Sequence, residues 1–218
     1  MRLYVFIMFY ASIFSVKAQR DNRLVAISHY VLDSFTMGKV KLKSGDVYSQ
    51  PLNYNVLTNE MIFWNGQRFM AIADPKDVDT VFIDTRKFIP VEAKFYELLL
   101  AGPNPLFMEF NYKIEDPPVS VGYGNASPTT NVTSLTSLVT SGGVYDIKLP
   151  DDFKVTPIYN YLVKKDGSYE KVNSPQQLIK VFPGKKNVIK EFIKTININF
   201  SNRSDVIRLM QHLQADGL

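Results

Sequence analysis

Hydrophobic and polar positions alternate with period two through much of residues 23–114, the pattern of strands half-buried in an antiparallel sheet. The stretch GKVKLKSGDVYSQPL alternates on either side of Ser44-Gly45-Asp46 and predicts a hairpin. The next one, EMIFWNGQRFMAIAD, is two apolar runs hinged on Asn65-Gly66, a dipeptide suited to the positive-φ positions of a type I′ turn. A two-residue turn there sets Trp64 against Gln67, Phe63 against Arg68, Ile62 against Phe69 and Met61 against Met70. Trp64, Ile62, Phe69 and Ala71 then share one face, and Phe63, Met61, Met70 and Ile72 the other. An ordinary surface hairpin is apolar on one side only. Cover on the second side, from another sheet layer or a strongly curled sheet, buries Trp64; without it Trp64 marks a binding site.

Two short strands follow, Val78–Ile83 and Lys87–Val91, between Asp-rich turns. In AKFYELLLAGPNPLFMEFNYKIE two longer strands are joined by Gly102-Pro103-Asn104-Pro105. Along the second, Met108, Phe110, Tyr112 and Ile114 point one way and Glu109, Asn111 and Lys113 the other. A strand is expected in GVYDIKLP, and TPIYNYLVKKDGSYEKV reads as a hairpin turning at Asp166-Gly167.

The period changes at Ser174. Ser174-Pro175-Gln176-Gln177 is a capping box with proline at the first helical position, opening PQQLIKVF, and Pro183-Gly184 stops it. KKNVIKEFIKTI places Val188, Ile189, Phe192, Ile193 and Ile196 on one side of a second helix. A third is capped by Asn202, has Asp205 near its positive end, buries Val206, Leu209, Met210 and Leu213, and stops at Gly217. The fold class expected is α+β: mainly antiparallel β, a curled or sandwich-like sheet, with a C-terminal cluster of three short helices at one end.

The ends and the middle of the chain add organisation. One cation, Arg2, precedes an apolar stretch from Leu3 to Val16, and Val16-Lys17-Ala18 supplies small residues before a cut between Ala18 and Gln19. That is the layout of a secretory signal peptide, and the stretch falls short of the ~20 apolar residues of a membrane span. The expected layout is a signal peptide over 1–18, an antiparallel β region over 19–116, a mobile loop over 117–143, completing strands over 144–173 and helices over 174–218. The loop expectation rests on residues 119–143, which hold ten Ser/Thr and no charge.

Composition narrows the function. The formal charge is +4 over 218 residues, and removing Arg2 and Lys17 with the signal leaves +2. Such a chain is no electrostatic magnet for nucleic acid or anionic lipid as a whole. With zero cysteines it has no disulfides, no thiol chemistry and no lipoprotein anchor. Four Asn-x-Ser/Thr sequons, at Asn125, Asn131, Asn199 and Asn202, carry no glycans if the chain is bacterial, as its compact signal and missing cysteines suggest.

Candidate chemistry is sparse. The two histidines, His29 and His212, sit in apolar contexts at opposite ends of the mature chain, and no metal-binding spacing links them. Asp74, Asp77, Asp79 and Asp84 form the densest acidic stretch; it lacks the glycine and terminal glutamate of a calcium loop, and turn formation explains it. Glu60, Glu92, Glu97 and Glu109 are the carboxylates from which a hydrolytic pair would be drawn. Tyrosine and phenylalanine are spread through the strands, as core residues or as a carbohydrate-binding face. No catalytic residue, cofactor or metal ligand is assigned.

In KVKLKSGDVYSQPLNYNVLTNEMIFWNG, VDTVFIDTRKFIPVEAKFYELLLAGP and SPQQLIKVFPGKKNVIKEFIKTININFSNRSDVIRLMQHL the chain resembles a group of uncharacterised exported proteins of Bacteroidetes-type bacteria. They share the order of hairpin, R-K-F strand, Ser/Thr-rich loop and terminal F-P-x-K-K helix, across most of residues 30–213. The resemblance implies an envelope location in a Gram-negative cell and carries no reaction. In architecture alone, a curled sheet plugged by helices resembles periplasmic lipoprotein carriers. The expected function is therefore an exported, non-enzymatic binding or structural protein, in the periplasm or associated with the envelope, with a protein, glycan or lipid partner. The alternatives are a carrier of apolar ligands and a carboxylate-dependent hydrolase.

Overall fold

A computed structural model describes residues 29–115, 119–121, 125–127 and 154–217. The signal segment and the strand expected in GVYDIKLP lie outside the described residues, as does most of the Ser/Thr-rich loop.

The chain forms β1 (Thr36–Leu42), β2 (Val47–Asn55), β3 (Glu60–Trp64), β4 (Phe69–Ala71), β5 (Val78–Ile83), β6 (Arg86–Val91), β7 (Lys94–Leu100) and β8 (Leu106–Glu115). After the short pair β9 (Val119–Val121) and β10 (Asn125–Ser127) come β11 (Lys154–Lys165) and β12 (Ser168–Lys171). Ten of these strands form one antiparallel sheet in the order β12-β11-β8-β7-β6-β5-β1-β2-β3-β4. Two meanders, β1 to β4 and β5 to β8, are thus joined along the β1–β5 seam. Gly38 sits on that seam because a Cβ there would stand 2.5 Å from the Phe82 carbonyl oxygen. The antiparallel α+β class and its three C-terminal helices, α1 (Pro175–Val181), α2 (Lys186–Ile196) and α3 (Arg203–Ala215), are as the periodicity predicts.

The sheet is open and strongly curled. Tyr54 on β2 packs its ring among Phe88, Phe95 and Phe110, with centroids 6.2, 6.2 and 5.7 Å away, and its hydroxyl accepts from the Phe95 N–H at 3.4 Å. β2 and β7 are four strands apart in the sheet, so only a curl brings them face to face. The concave side is the core, and the helices enter it through Leu178, Ile189, Val206, Leu209, Met210 and Leu213, all buried. Their ends are built as the sequence indicates. Ser174 Oγ accepts from the Gln177 N–H at 3.3 Å while Gln177 Oε1 accepts from the Asn173 N–H at 2.8 Å. Asn202 Oδ1 accepts from the N–H groups of Ser204 and Asp205.

The hairpin at Asn65-Gly66 keeps its faces and changes its register. Trp64 pairs with Phe69, Phe63 with Met70 and Ile62 with Ala71, two residues away from the pairing of a two-residue turn. Gly66 has φ +94° but Asn65 does not take positive φ. Instead the Asn65 Oδ1 accepts from the Gln67 and Arg68 N–H groups at 3.0 and 2.9 Å, which holds a four-residue connection open. A shift of two leaves every side chain on its expected face. At Asp166-Gly167, by contrast, both residues take positive φ and Lys165 pairs directly with Ser168.

The second side of that hairpin is covered by neither another sheet nor the curl. Met61, Phe63 and Ile72 face the core. His29–Val31 runs alongside β2, with Tyr30 opposite Asn55, and the chain then bends over the other face at Leu32–Phe35, held by Asn53: its Nδ2 donates to the Leu32 and Ser34 carbonyls at 2.8 and 3.3 Å, and its Oδ1 accepts from the Leu32 N–H at 3.0 Å. Phe35 packs on Phe69 with centroids 4.5 Å apart, and Phe69 on Trp64 at 4.8 Å. Ile62 is fully buried beneath this cover and Trp64, beside the turn, is half-buried.

Candidate binding face

Period-two alternation distributes the carboxylates. On β7, Phe95 and Glu97 point into the core while Tyr96 and Leu98 point out; on β8, Met108 and Phe110 point in while Phe107 and Glu109 point out. Glu97 and Glu109 are therefore on opposite faces of the sheet. Glu97 is buried between two guanidinium groups. Arg86 Nε and Nη2 donate to it at 3.0 and 2.6 Å, and Arg203 Nη2 and Nη1 at 2.5 and 3.2 Å. All of its oxygen capacity is used in tying α3 to the sheet. Glu92 takes positive φ in the exposed β6–β7 turn, and Glu60 stands opposite Asn55 at the start of β3. The four carboxylates thus occupy four different positions in the sheet and its turns.

The outer face of β6, β7, β8, β11 and β12 carries the most organised polar group. Ile89 pairs with Tyr96 and Glu109 with Asn160, giving a row across four strands. Glu109 accepts from Lys94 Nζ at 3.0 Å and Asn160 Nδ2 at 2.9 Å, and Asn160 Oδ1 accepts from Asn173 Nδ2 at 2.9 Å. Partial burial alone would raise the Glu109 carboxyl; the hydrogen bonds from Asn160 and Lys94 outweigh it and hold the group below its usual range. Burial, together with the negative charge of Glu109, pushes the Tyr96 phenol up to about 12. Beside this row lies an apolar one, Leu98, Phe107 and Leu162, with Tyr169 above it. Tyr169 meets Tyr96 and Phe107 edge-on at 5.4 and 5.3 Å. Phe107 is left only 5% exposed. A fixed carboxylate, two fixed amides and a tyrosine pair thus stand side by side in defined positions on this face.

The other residues singled out by the sequence have structural surroundings. His29 is buried, and burial lowers its pKa to about 4. His212 stacks flat on Phe192, with centroids 4.0 Å apart at 9°, which joins α3 to α2. Asp74 Oδ1 accepts from the Lys76 N–H at 2.9 Å, Asp79 pairs with Lys41 at 3.3 Å, and Asp84 takes positive φ in the β5–β6 turn. Among the described residues no three acidic or histidine side chains come together as metal ligands would, and no helix is long and apolar enough to cross a membrane. Of the outer-face residues, sequence reasoning had placed Glu109 on a solvent side but had no signal for Asn160 and Asn173. Those two join Glu109 only through the β8–β11 register.

No protein-family model matches the chain, nor does any curated protein or solved structure.

Proposed function

We propose that the chain is an exported, non-enzymatic binding protein of a Gram-negative cell envelope, matured by cleavage after Ala18, and that it binds through the outer face built around Tyr96, Glu109, Asn160 and Tyr169. The observation that carries this reading is the hydrogen-bonded row Lys94–Glu109–Asn160–Asn173 lying beside half-buried rings on a solvent-facing surface. Placing polar side chains in fixed positions on a surface costs conformational freedom before any partner arrives, which is how a binding site gains affinity. The resemblance of the sequence to a Bacteroidetes-type exported group supports this reading. The carrier alternative asks for a hollow interior, whereas the concave side is filled by Tyr54, Phe88, Phe95 and Phe110 and by the helices.

The test is recovery of partners by the mature protein and by its Tyr169→Ala and Asn160→Ala variants from detergent-free envelope extract. Proteins, glycans and lipids are all read by mass spectrometry, and intact mass gives the processing site. Loss of the same partner from both variants, with an intact mass beginning at Gln19, supports the reading. Equal recovery by all three proteins, or an exported protein that retains residues 1–18, overturns it.

A further inference from the structure

The chain's small net charge hides a segregation by face. Reading the register across the sheet, the outward strand positions carry Lys39 and Lys41 on β1, Lys87 on β6, Lys94 on β7, Lys164 on β11 and Lys171 on β12. Lys113 of β8 lies on the same face, and against these seven cations stand three carboxylates, Asp79, bonded to Lys41, Glu109, bonded to Lys94, and Glu60 of β3. Lys39, Lys164 and Lys171 have no acidic partner among the described residues, and Lys87 has no ion pair beyond the charge of nearby Asp79, which is already bonded to Lys41. Their near neighbours are rings. Lys87 Nζ lies 5.9 Å from the centroid of Phe82 and Lys164 Nζ 5.5 Å from that of Tyr169. In one row Ser49, Lys39, Phe82 and Lys87 follow each other across β2, β1, β5 and β6. The two lysines flank the phenylalanine two strand spacings apart, about 10 Å at the backbone.

We infer that this outer face binds an acidic polysaccharide, with uronate-type carboxylates met by Lys39, Lys87, Lys164 and Lys171 and sugar rings lying on Phe82, Tyr96 and Tyr169. The inference rests on the reading of the outer face as a binding surface and names its ligand class. Charge complementarity gives the sign of the partner. The kind of cation and the shape of the surface give the rest. All the outward strand cations named are lysines, compact point charges on flexible stems that suit a repeating polyanion. The bidentate arginines Arg86 and Arg203 are spent on Glu97 instead of being offered to a clustered phosphate or a single carboxylate. Tyr96 and Tyr169 are half-buried on this face and Phe82 is 39% exposed, so ring surface is presented between the lysines. Lysines interleaved with rings over several strands match a partner that is extended, charged at intervals and apolar between charges.

Affinity electrophoresis of the full mature chain tests this, with gels containing alginate, neutral dextran or poly-glutamate, and with flotation on phosphatidylglycerol vesicles. Expected are retardation by alginate that weakens with salt, binding about tenfold weaker in Lys39→Gln/Lys87→Gln, and a comparable loss in Tyr169→Ala. Unchanged thermal melting of the double variant shows that the fold is kept. Retardation by poly-glutamate equal to that by alginate, or flotation with vesicles in place of alginate binding, overturns the polysaccharide. So does alginate binding that the lysine variant leaves intact. Retardation by dextran alone, lost in Tyr169→Ala, overturns the acidic ligand while leaving the outer face as the binding surface. Absence of retardation in every gel overturns the inference, and the partner-recovery experiment then decides on the face itself.

Discussion

Arg203, the first residue of α3, donates two hydrogen bonds to Glu97 of β7 across 106 residues of chain. With Arg86 on the other side, a buried carboxylate holds a helix on the sheet. Glu97→Gln leaves the Arg86 guanidinium uncompensated in the core and should cost about 3–5 kcal/mol, as breaking buried pairs does. Arg203 is 43% exposed at its side chain, so Arg203→Ala should cost far less, about 1 kcal/mol. Urea denaturation of the two variants and the double variant checks both values; equal losses for the two single variants would show that the bridge is not buried as described.

The stability of the protein should fall in acid because of His29. Its folded pKa of about 4 lies below the ordinary histidine value of 6.5, so the unfolded chain binds its proton first. Between pH 6.5 and about 4 the unfolded state therefore carries more protons, and this contribution to stability declines as pH falls through that window. His29→Phe should flatten the melting temperature over the same range. A slope unchanged in the variant would assign the acid sensitivity to the carboxylates instead.

Fluorescence of Trp64, the only tryptophan, should report a half-buried site: emission between the core and solvent extremes and partial quenching by iodide. Trp64→Ala should cost about 1–2 kcal/mol, against about 3–5 kcal/mol for the fully buried Phe88→Ala. Chemical denaturation of the pair checks the ranking.

Asn53→Ala should release the His29–Phe35 segment. Three backbone groups of the segment and the Tyr54 N–H lose their side-chain partner, and the loss should be on the order of 2 kcal/mol. Hydrogen exchange at the Leu32 amide should speed up more than at the Phe95 amide, which is bonded to Tyr54.

Much of the fold could be read from period and punctuation. β5 to β8, the Asp166-Gly167 hairpin and all three helices fall where alternation, turn residues and caps place them, because each of those signals is local. The Asn65 connection shows the limit: an asparagine side chain that captures two backbone N–H groups competes with the positive φ of a type I′ turn, and the dipeptide alone does not say which prevails. The cover over Ile62 depends on Asn53 reaching a segment about 20 residues earlier, and the Glu109–Asn160 pair on a register between strands 51 residues apart. Long-range register has no signature in a single sequence. The alternation along β8 did place Glu109 outside, while the inward Glu97 kept its role hidden until α3 supplied Arg203.

The Asn173 amide also guards against self-association. β12 pairs with only the last four residues of β11, so the rest of that long strand borders the outside of the sheet. There Asn173 Oδ1 accepts from the Tyr161 N–H at 2.7 Å and its Nδ2 donates to the Tyr159 carbonyl at 3.5 Å, so one side chain takes up the peptide groups that a neighbouring strand would seek. By alternation the next outward backbone position is residue 157, a proline with no N–H to offer. At the opposite border β4 is three residues long. An open sheet of ten strands could recruit copies of itself at either end, and this one gives a second chain very little backbone to pair with.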